Sequence, residues 1–542
     1  MPIALAIVAA PLAAAQVPVF EDEALNAPDP QLNARLGDSI AMNDAYLCSG
    51  VSRQSGALSA EGSVVTWPRV GPAYGPARSL MSPAPSVSGQ FGYDIALSGA
   101  ELFVSELSSV LQPGLSRSAV HVYAEGTSNW EYLDSVFNPG VGLTNQFGFS
   151  IDADGDLLVV GAPNEFVQFR RVGAAYVFRR VGGVWQLDAQ LTASDGVDFD
   201  RFGDTVAVSG GRVLVGAPTK QSGTVLAGAA YVYEFAGGGW VETARLAVDD
   251  GSGDDGFGVS LDLDGTTAVV GAVRNNGRGA TYVFDATGGS WTREARLQPH
   301  LLSTDATFGR AVAVLGDQLV VGAYQDEAAG AVRGSAWVFD REPNAWSARV
   351  RLIPSGDSLA SLHGFAVALD GAGSFAVGGP LGSAPGAPVS SGEIRTYRPR
   401  RSIGVSECDA VENSTGEAGT IAALGSRSAV ADRVTLIAYQ LPVDRMGYFL
   451  SSRERGLVNQ PGGSRGVLCL GGAIGRYVGR GDVQDTSTSG MLVLDLELAR
   501  TPTPTGFVSI AAGETWRFQA WHRDMDPGPT SNFTDAVAVS FR

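Results

Sequence analysis

A Phe-Gly pair, or a relic of it, returns about every 55 residues along this chain. The positions are Leu36-Gly37, Phe91-Gly92, Phe147-Gly148, Phe202-Gly203, Phe257-Gly258, Phe308-Gly309 and His363-Gly364. A second signal follows at near-constant distance: Gly161-Ala162-Pro163, Gly216-Ala217-Pro218, Gly271-Ala272-Val273, Gly322-Ala323-Tyr324 and Gly378-Gly379-Pro380. The first two units keep only blurred versions, around Ser49-Gly50 and Val104-Ser105. A fixed period of this length means one supersecondary unit repeated, each burying its apolar face against the next. Such scaffolds present binding surfaces more often than they house chemistry.

The unit reads as strands. From Phe147 to Ala153 apolar and polar residues alternate up to Asp154-Gly155, a two-residue hairpin signal. A second strand, Asp156 to Val160, stops at Gly-Ala-Pro, since proline cannot continue a central ladder. After a variable loop come Gly173 to Phe178, a Val181-Gly182-Gly183 turn and a fourth strand from Trp185 to Leu191. Trp130, Trp240, Trp291 and Trp346 open the corresponding strands, and these aromatics read as core. The 71 glycines among β-branched runs fit many tight turns, and no sustained helical period appears beyond the first residues. Four antiparallel strands per unit is the pattern of a propeller blade.

The seventh unit ends early, because Pro399 follows Tyr397 with no Trp strand behind it. A surplus strand, Val19 to Leu25, precedes the first unit, and Leu25 stands as far before Leu36 as Leu191 does before Phe202. The expectation is an all-β chain: a seven-bladed β-propeller of four-stranded blades over residues 16–400, closed by the N-terminal strand, then a C-terminal β-sandwich over 401–542. Closure would remove the exposed sheet edges that invite aggregation.

Residues 1–15 form an apolar run ending Ala13-Ala14-Ala15, which reads as a secretory signal despite lacking a basic start. No other segment approaches the length of a membrane span. Net charge is −18, which argues against nucleic-acid or anionic-membrane partners. Lys220 is the sole lysine. Of three cysteines, Cys408 and Cys469 could form a disulfide, leaving Cys48 over.

Phe-Gly followed by Gly-Ala-Pro in units of this length resembles the FG-GAP repeat of the integrin α-subunit propeller, over about residues 19 to 400. The tail Trp185…Leu191-Thr192-Ala193-Ser194-Asp195-Gly196 is similar to the bacterial secreted branch. The resemblance implies a seven-bladed propeller on an exported protein, with roles in adhesion or recognition. The family's calcium loop, D-x-[DN]-x-D-G-x-x-D between first and second strands, is shortened here. Asp152, Asp154 and Asp156 are its best remnant, Asp262 and Asp264 a poorer one. Calcium takes six to eight oxygens. A two-residue turn cannot wrap that many around one ion, so the turn reading leads and calcium stays as the alternative.

Acidic residues gather in the loops joining fourth strands to the next Phe-Gly: Asp195, Asp198 and Asp200, then Asp249, Asp250, Asp254 and Asp255, with Asp305 and Asp357 later. These loops would share a face with the variable loops after second strands. Asp198, Asp200, Asp254 and Asp255 are the expected ligand contacts, against the reading of a solvated rim.

Beyond Ser402 the period is lost. Val434 to Tyr439, Met491 to Leu496, Gly506 to Ile510, Trp516 to Trp521 and Ala536 to Phe541 read as strands between Gly/Pro turns. The segments Leu468 to Gly472, Trp516 to Asp524 and Thr530 to Asp535 resemble a module on many large bacterial secreted proteins, which supports export and little else. His522, Asp524, Asp526 and Asp535 could gather around a metal, although an exposed turn after a Trp strand is the preferred reading. Arg480-Gly481-Asp482 is the tripeptide many integrins bind, and Gly479 beside it suggests a turn. A chain rich in Gly, Arg and Asp readily contains it by chance.

The four histidines, His121, His300, His363 and His522, make no metal-ligand pair, and His363 stands where the repeat has Phe. Neither a G-x-S-x-G elbow nor H-E-x-x-H occurs. The function expected is a non-catalytic binding or adhesion protein, exported and monomeric, with an extracellular protein or glycan ligand and no cofactor. A carbohydrate-active enzyme (glycosidase or lyase) using paired carboxylates, or an inert structural surface protein, are the alternatives.

Overall fold

A computed structural model describes residues 19–542, apart from 56–57, 72, 113–114, 128, 140–144, 222–224, 249–253, 300–301, 329–330, 343–344, 355–360, 383–389, 400–401, 417, 431–433, 487–489 and 526–527. The signal segment, Asp249, Asp250, Asp357 and Asp526 therefore lie outside the described residues. The chain divides into two compact units, Glu21–Arg398 and a second containing Pro399–Arg542.

The first unit is all antiparallel sheet, and its described residues form seven such sheets in repeat order, besides short loop hairpins. The third is typical: Ile151–Asp154, Leu157–Ala162, Ala174–Val181 and Val184–Leu191, each pairing with the next. The hairpin turn falls one residue later than the sequence suggests. Asp154 pairs with Leu157, so Gly155 and Asp156 are the two turn residues. The last sheet takes its fourth strand from the other end of the chain: Val19–Leu25 lies beside Glu393–Pro399.

The Phe-Gly pair forms the middle of a tight turn, as in Asp204 N–H donating to Arg201 C=O at 3.0 Å. Phe202 is 1% exposed and packs in the core between the third and fourth sheets, with Val159 and Val177 from one, Val213, Val215 and Tyr231 from the other. Burying such a ring contributes about 1.5–3 kcal/mol. Gly203 has φ +87°, which only glycine adopts without strain, and a Cβ there would collide with the Ala174 carbonyl. Gly161, from the Gly-Ala-Pro of the preceding unit, lies against the Gly203 carbonyl, and a Cβ would collide there too. The two recurring signals therefore touch each other across each junction, which is why both must be small and why their spacing holds. Gly378 meets Gly37 in the same way, joining the seventh unit to the first. A parallel bridge marks the same junctions: Gly173 with Phe202, Gly228 with Phe257, Gly279 with Phe308, Gly334 with His363, and at the closing junction Gly392 with Leu36.

His363 fills its Phe position fully buried. Its Nε2 lies 2.9 Å from the Tyr397 hydroxyl, and burial drives its pKa down to about 3. Cys48 is a buried free thiol that burial pushes up.

In the second unit a six-stranded sheet includes Val405–Cys408, Met446–Ser452, Thr515–Asp524 and Thr530–Ser540; Thr420–Gly425, Val434–Tyr439 and Leu492–Leu496 form a three-stranded one. Both contribute to one core, Leu436 and Val434 from the smaller sheet with Trp516, Phe518 and Val537 from the larger. Cys408 and Cys469 form a disulfide with Cα atoms 6.4 Å apart. His522 and Asp524 correct the exposed-turn reading, because their strand runs on to Asp524 with His522 paired to Asn532 and both are buried. Asp524 accepts from Ser414 and Met525 N–H, whereas Asp535 accepts from Ile421 N–H, so each pins a different segment. Arg480 and Gly481 are exposed at the tip of a turn, with Gly481 at φ +94° and the Asp482 carboxylate accepting from Gly479 N–H at 2.9 Å.

Candidate functional site at the centre of the seven sheets

The first strand of each sheet is an edge strand, and its outward N–H groups have no strand partner. The preceding unit supplies side chains to satisfy them. Asp94 Oδ2 accepts from Ile151 N–H (2.8 Å), Asp152 Oδ2 from Val208 N–H (2.7 Å) and Asp262 Oδ2 from Val314 N–H (2.7 Å). Asp154 and Asp264 do the same for Gly210 and Gly316, and Ser98 and Ser209 for Gly155 and Gly265. The remnant calcium positions thus act as staples between sheets. Asp156 points elsewhere, exposed and ion-paired with Arg180 at 2.9 Å. The three carboxylates do not converge on one point.

Burial raises Asp152 to about 8, Asp94 to about 7 and Asp262 to about 6, in each case against the backbone N–H donors that favour the charged form. A folded pKa above the unfolded value of about 3.9 means stability is fully present below that value and is lost as pH rises through about 6 to 8. The melting temperature of the triple variant Asp94→Asn/Asp152→Asn/Asp262→Asn should therefore change less between about pH 5 and pH 8.5 than that of the natural chain. An identical pH slope in the two would contradict this.

The loops after second and fourth strands meet on one face, as expected, but their acids divide into two kinds. Asp198 is half exposed, 3.6 Å from Arg170, and Asp254 is exposed and paired with Arg274 at 3.0 Å. Asp200 and Asp255 are buried, at 1% and 0% exposure. Asp200 accepts from Val197 N–H and holds the ammonium of Lys220 at 2.9 Å; that buried lysine also donates to the Asp195 carbonyl. This corrects the reading of all four as solvent-facing ligand contacts. Removing one charge of a buried pair leaves the other uncompensated at a cost of about 3–5 kcal/mol. Asp200→Asn is expected to lower the melting temperature by several degrees, while Asp198→Asn and Asp254→Asn leave it within about a degree. Calorimetry on the three variants decides the point.

The first strands of all seven sheets surround one cavity of about 910 Å³. Its mouth on the loop side is ringed by the residue after each Phe-Gly: Asp38, Tyr93, Phe149, Asp204, Val259, Arg310 and Phe365. Tyr93 and Phe149 meet at a tilt of 44° with centroids 5.3 Å apart, and Tyr324 meets Phe365 edge-on at 5.5 Å. Arg201 lies over Phe149 and Arg310 over Phe365, 5.5 and 4.5 Å from the ring centroids. Arg35 pairs with Asp38 and Arg201 with Asp204, each from the residue before the Phe-Gly position to the one after it. Burial raises both aspartates despite these arginines, and burial lifts Tyr93 to about 12. Aromatic faces, guanidinium groups and carboxylates around an opening can stack a ring and hydrogen-bond a polar ligand.

Residues 142–178, 185–233, 240–284 and 291–339 each match the FG-GAP repeat model. The chain carries FG-GAP repeats. These four matches cover the units in which Phe-Gly and Gly-Ala-Pro are best kept. No curated protein matches the chain. Among solved structures, that of Chaetomium thermophilum Sqt1 is similar at 14% identity and a TM-score of 0.40, over 76% of this chain and 94% of that one. Sequence reasoning missed this mouth. The available signal was the residue after each Phe-Gly, which changes chemistry between most units while the glycine before it stays constant.

Proposed function

We propose that the seven sheets are the blades of a closed FG-GAP propeller, followed by a β-sandwich, and that the protein is an exported, non-catalytic binding or adhesion protein. Its ligand, an extracellular protein or glycan, engages the face where the loops after second and fourth strands surround the cavity mouth. One observation carries this reading: seven side chains of five kinds, one per repeat, converge on that mouth from a backbone held constant by packing. Binding residues concentrate where a rigid scaffold holds variable positions. The FG-GAP repeat itself fits a recognition role, and the Cys408–Cys469 disulfide fits an oxidising compartment. Among the described residues no helix is long and apolar enough to cross a membrane.

The protein is read as needing no metal, because Asp152 and Asp154 already accept backbone N–H groups. Adding calcium to chelated protein should shift the melting temperature by no more than about one or two degrees; a rise of about ten would restore the calcium reading. The function is tested on arrays of glycans and extracellular proteins with the full chain and with Phe149→Ala. Hits weakened by Phe149→Ala support the reading. Hits indifferent to it place recognition elsewhere, and degradation of a glycan hit would favour the enzyme alternative.

A further inference from the structure

Three units put an arginine at the mouth, and they do so in two different ways. In the first and fourth, the arginine stands before the Phe-Gly position and an aspartate after it, so Arg35 is paired with Asp38 and Arg201 with Asp204. In the sixth the order is reversed. Thr307 precedes Phe308-Gly309 and Arg310 follows, so the unit brings a cation to the ring without its acid. Among the described residues the Arg310 side chain makes no close ion pair and no hydrogen bond; its face lies against Phe365 at 4.5 Å, and its charge reaches Asp38 and Asp204, favouring the ionised form of both. A guanidinium stacked in this way keeps its N–H edge available, in the fixed fork that fits a carboxylate.

Around it the cavity offers two further chemistries. Asp38 Oδ1 is buried, 3.4 Å from Arg35 Nε, and has no hydrogen-bond partner, so it calls for a donor such as a hydroxyl. The tilted pair Tyr93 and Phe149 presents apolar ring surface on another part of the rim. The ligand that answers all three carries a carboxylate, several hydroxyls and an apolar ring face. An acidic peptide has the first, but it brings no row of hydroxyl donors. A cavity of about 910 Å³ lies within the usual range of small-molecule sites.

Resting on the reading of this face as the binding surface, we propose that the mouth binds an acidic saccharide, with Arg310 holding a uronate carboxylate, Asp38 accepting from sugar hydroxyls and the Tyr93–Phe149 pair stacking on the ring. The test titrates an oligogalacturonate, and the neutral oligosaccharide made by reducing its carboxyl groups, into the full chain by calorimetry. The acidic form should bind at least roughly tenfold more tightly than the neutral one, and Arg310→Gln should erase that difference. Arg310→Lys, which keeps the charge but not the fork, should restore part of it. Melting temperatures check that the variants are folded. Equal binding of both oligosaccharides, weakened by Phe149→Ala and unmoved by Arg310→Gln, overturns the acidic inference and keeps the face. Binding indifferent to both variants overturns the face itself. Failure of the oligogalacturonate to bind, or preference for an acidic peptide over it, overturns the saccharide proposal.

Discussion

A chain cut back to begin at Asn33 is expected to aggregate where the full chain stays monomeric. The missing segment contains Val19–Leu25, the fourth strand of the seventh sheet. Without it, Glu393–Pro399 becomes an open edge with a row of unpaired backbone groups, a template for pairing with another molecule. The loss also uncovers a core. Leu25 and Ala27 pack in one cluster with Leu36, Leu47, Trp67 and Ile394, which draws on both the last sheet and the first. Light scattering and size-exclusion chromatography give the readout. A truncated chain that remains monomeric and melts at the same temperature would show that the N-terminal strand does not close the ring.

Gly161→Val should lower stability by about 3 kcal/mol or more. The new side chain would have to occupy the space of the Gly203 carbonyl, which is backbone of the next unit and is itself fixed by Gly203 N–H donating to the Gly216 carbonyl at 2.9 Å. No rotamer change can make that room. Gly239→Val is the control, because a Cβ at that position meets nothing within 4 Å. Thermal unfolding should show a drop of at least about 5 °C for Gly161→Val and little change for Gly239→Val. Equal behaviour of the two would remove the junction as the reason both motifs recur.

The strands were legible because each unit repeats its alternation and its breakers. Val434–Tyr439, outside the repeats, has the bounds that a β-branched and apolar run between turns predicts. The N-terminal strand was legible because Leu25 keeps the spacing of Leu191. Asp154 shows the limit: Asp-Gly signals a hairpin, but whether Asp opens the turn or ends the strand depends on pairing across the sheet. The same limit applies to Asp200 and Asp255, which look like rim acids in sequence. Only the fold puts Asp200 on Lys220, from a loop some twenty residues downstream. His522 and Asp524 were misread because a polar run after Trp521 resembles a loop, whereas it continues a strand whose inward face is polar and hydrogen-bonded. The mouth was not legible, since nothing in one unit says that the residue after Phe-Gly faces six equivalents around a shared opening.

The most direct measurement is binding of the array ligand to the full chain carrying Val259→Trp. Val259 is one of the seven residues at the mouth and is only partly buried. An indole there projects bulk into the opening while leaving the junction glycines and the charged pairs in place. The expected result is loss of binding with an unchanged melting temperature. Binding retained at full strength, with the indole in the opening and the protein folded, would contradict the placing of recognition at the centre of the seven sheets.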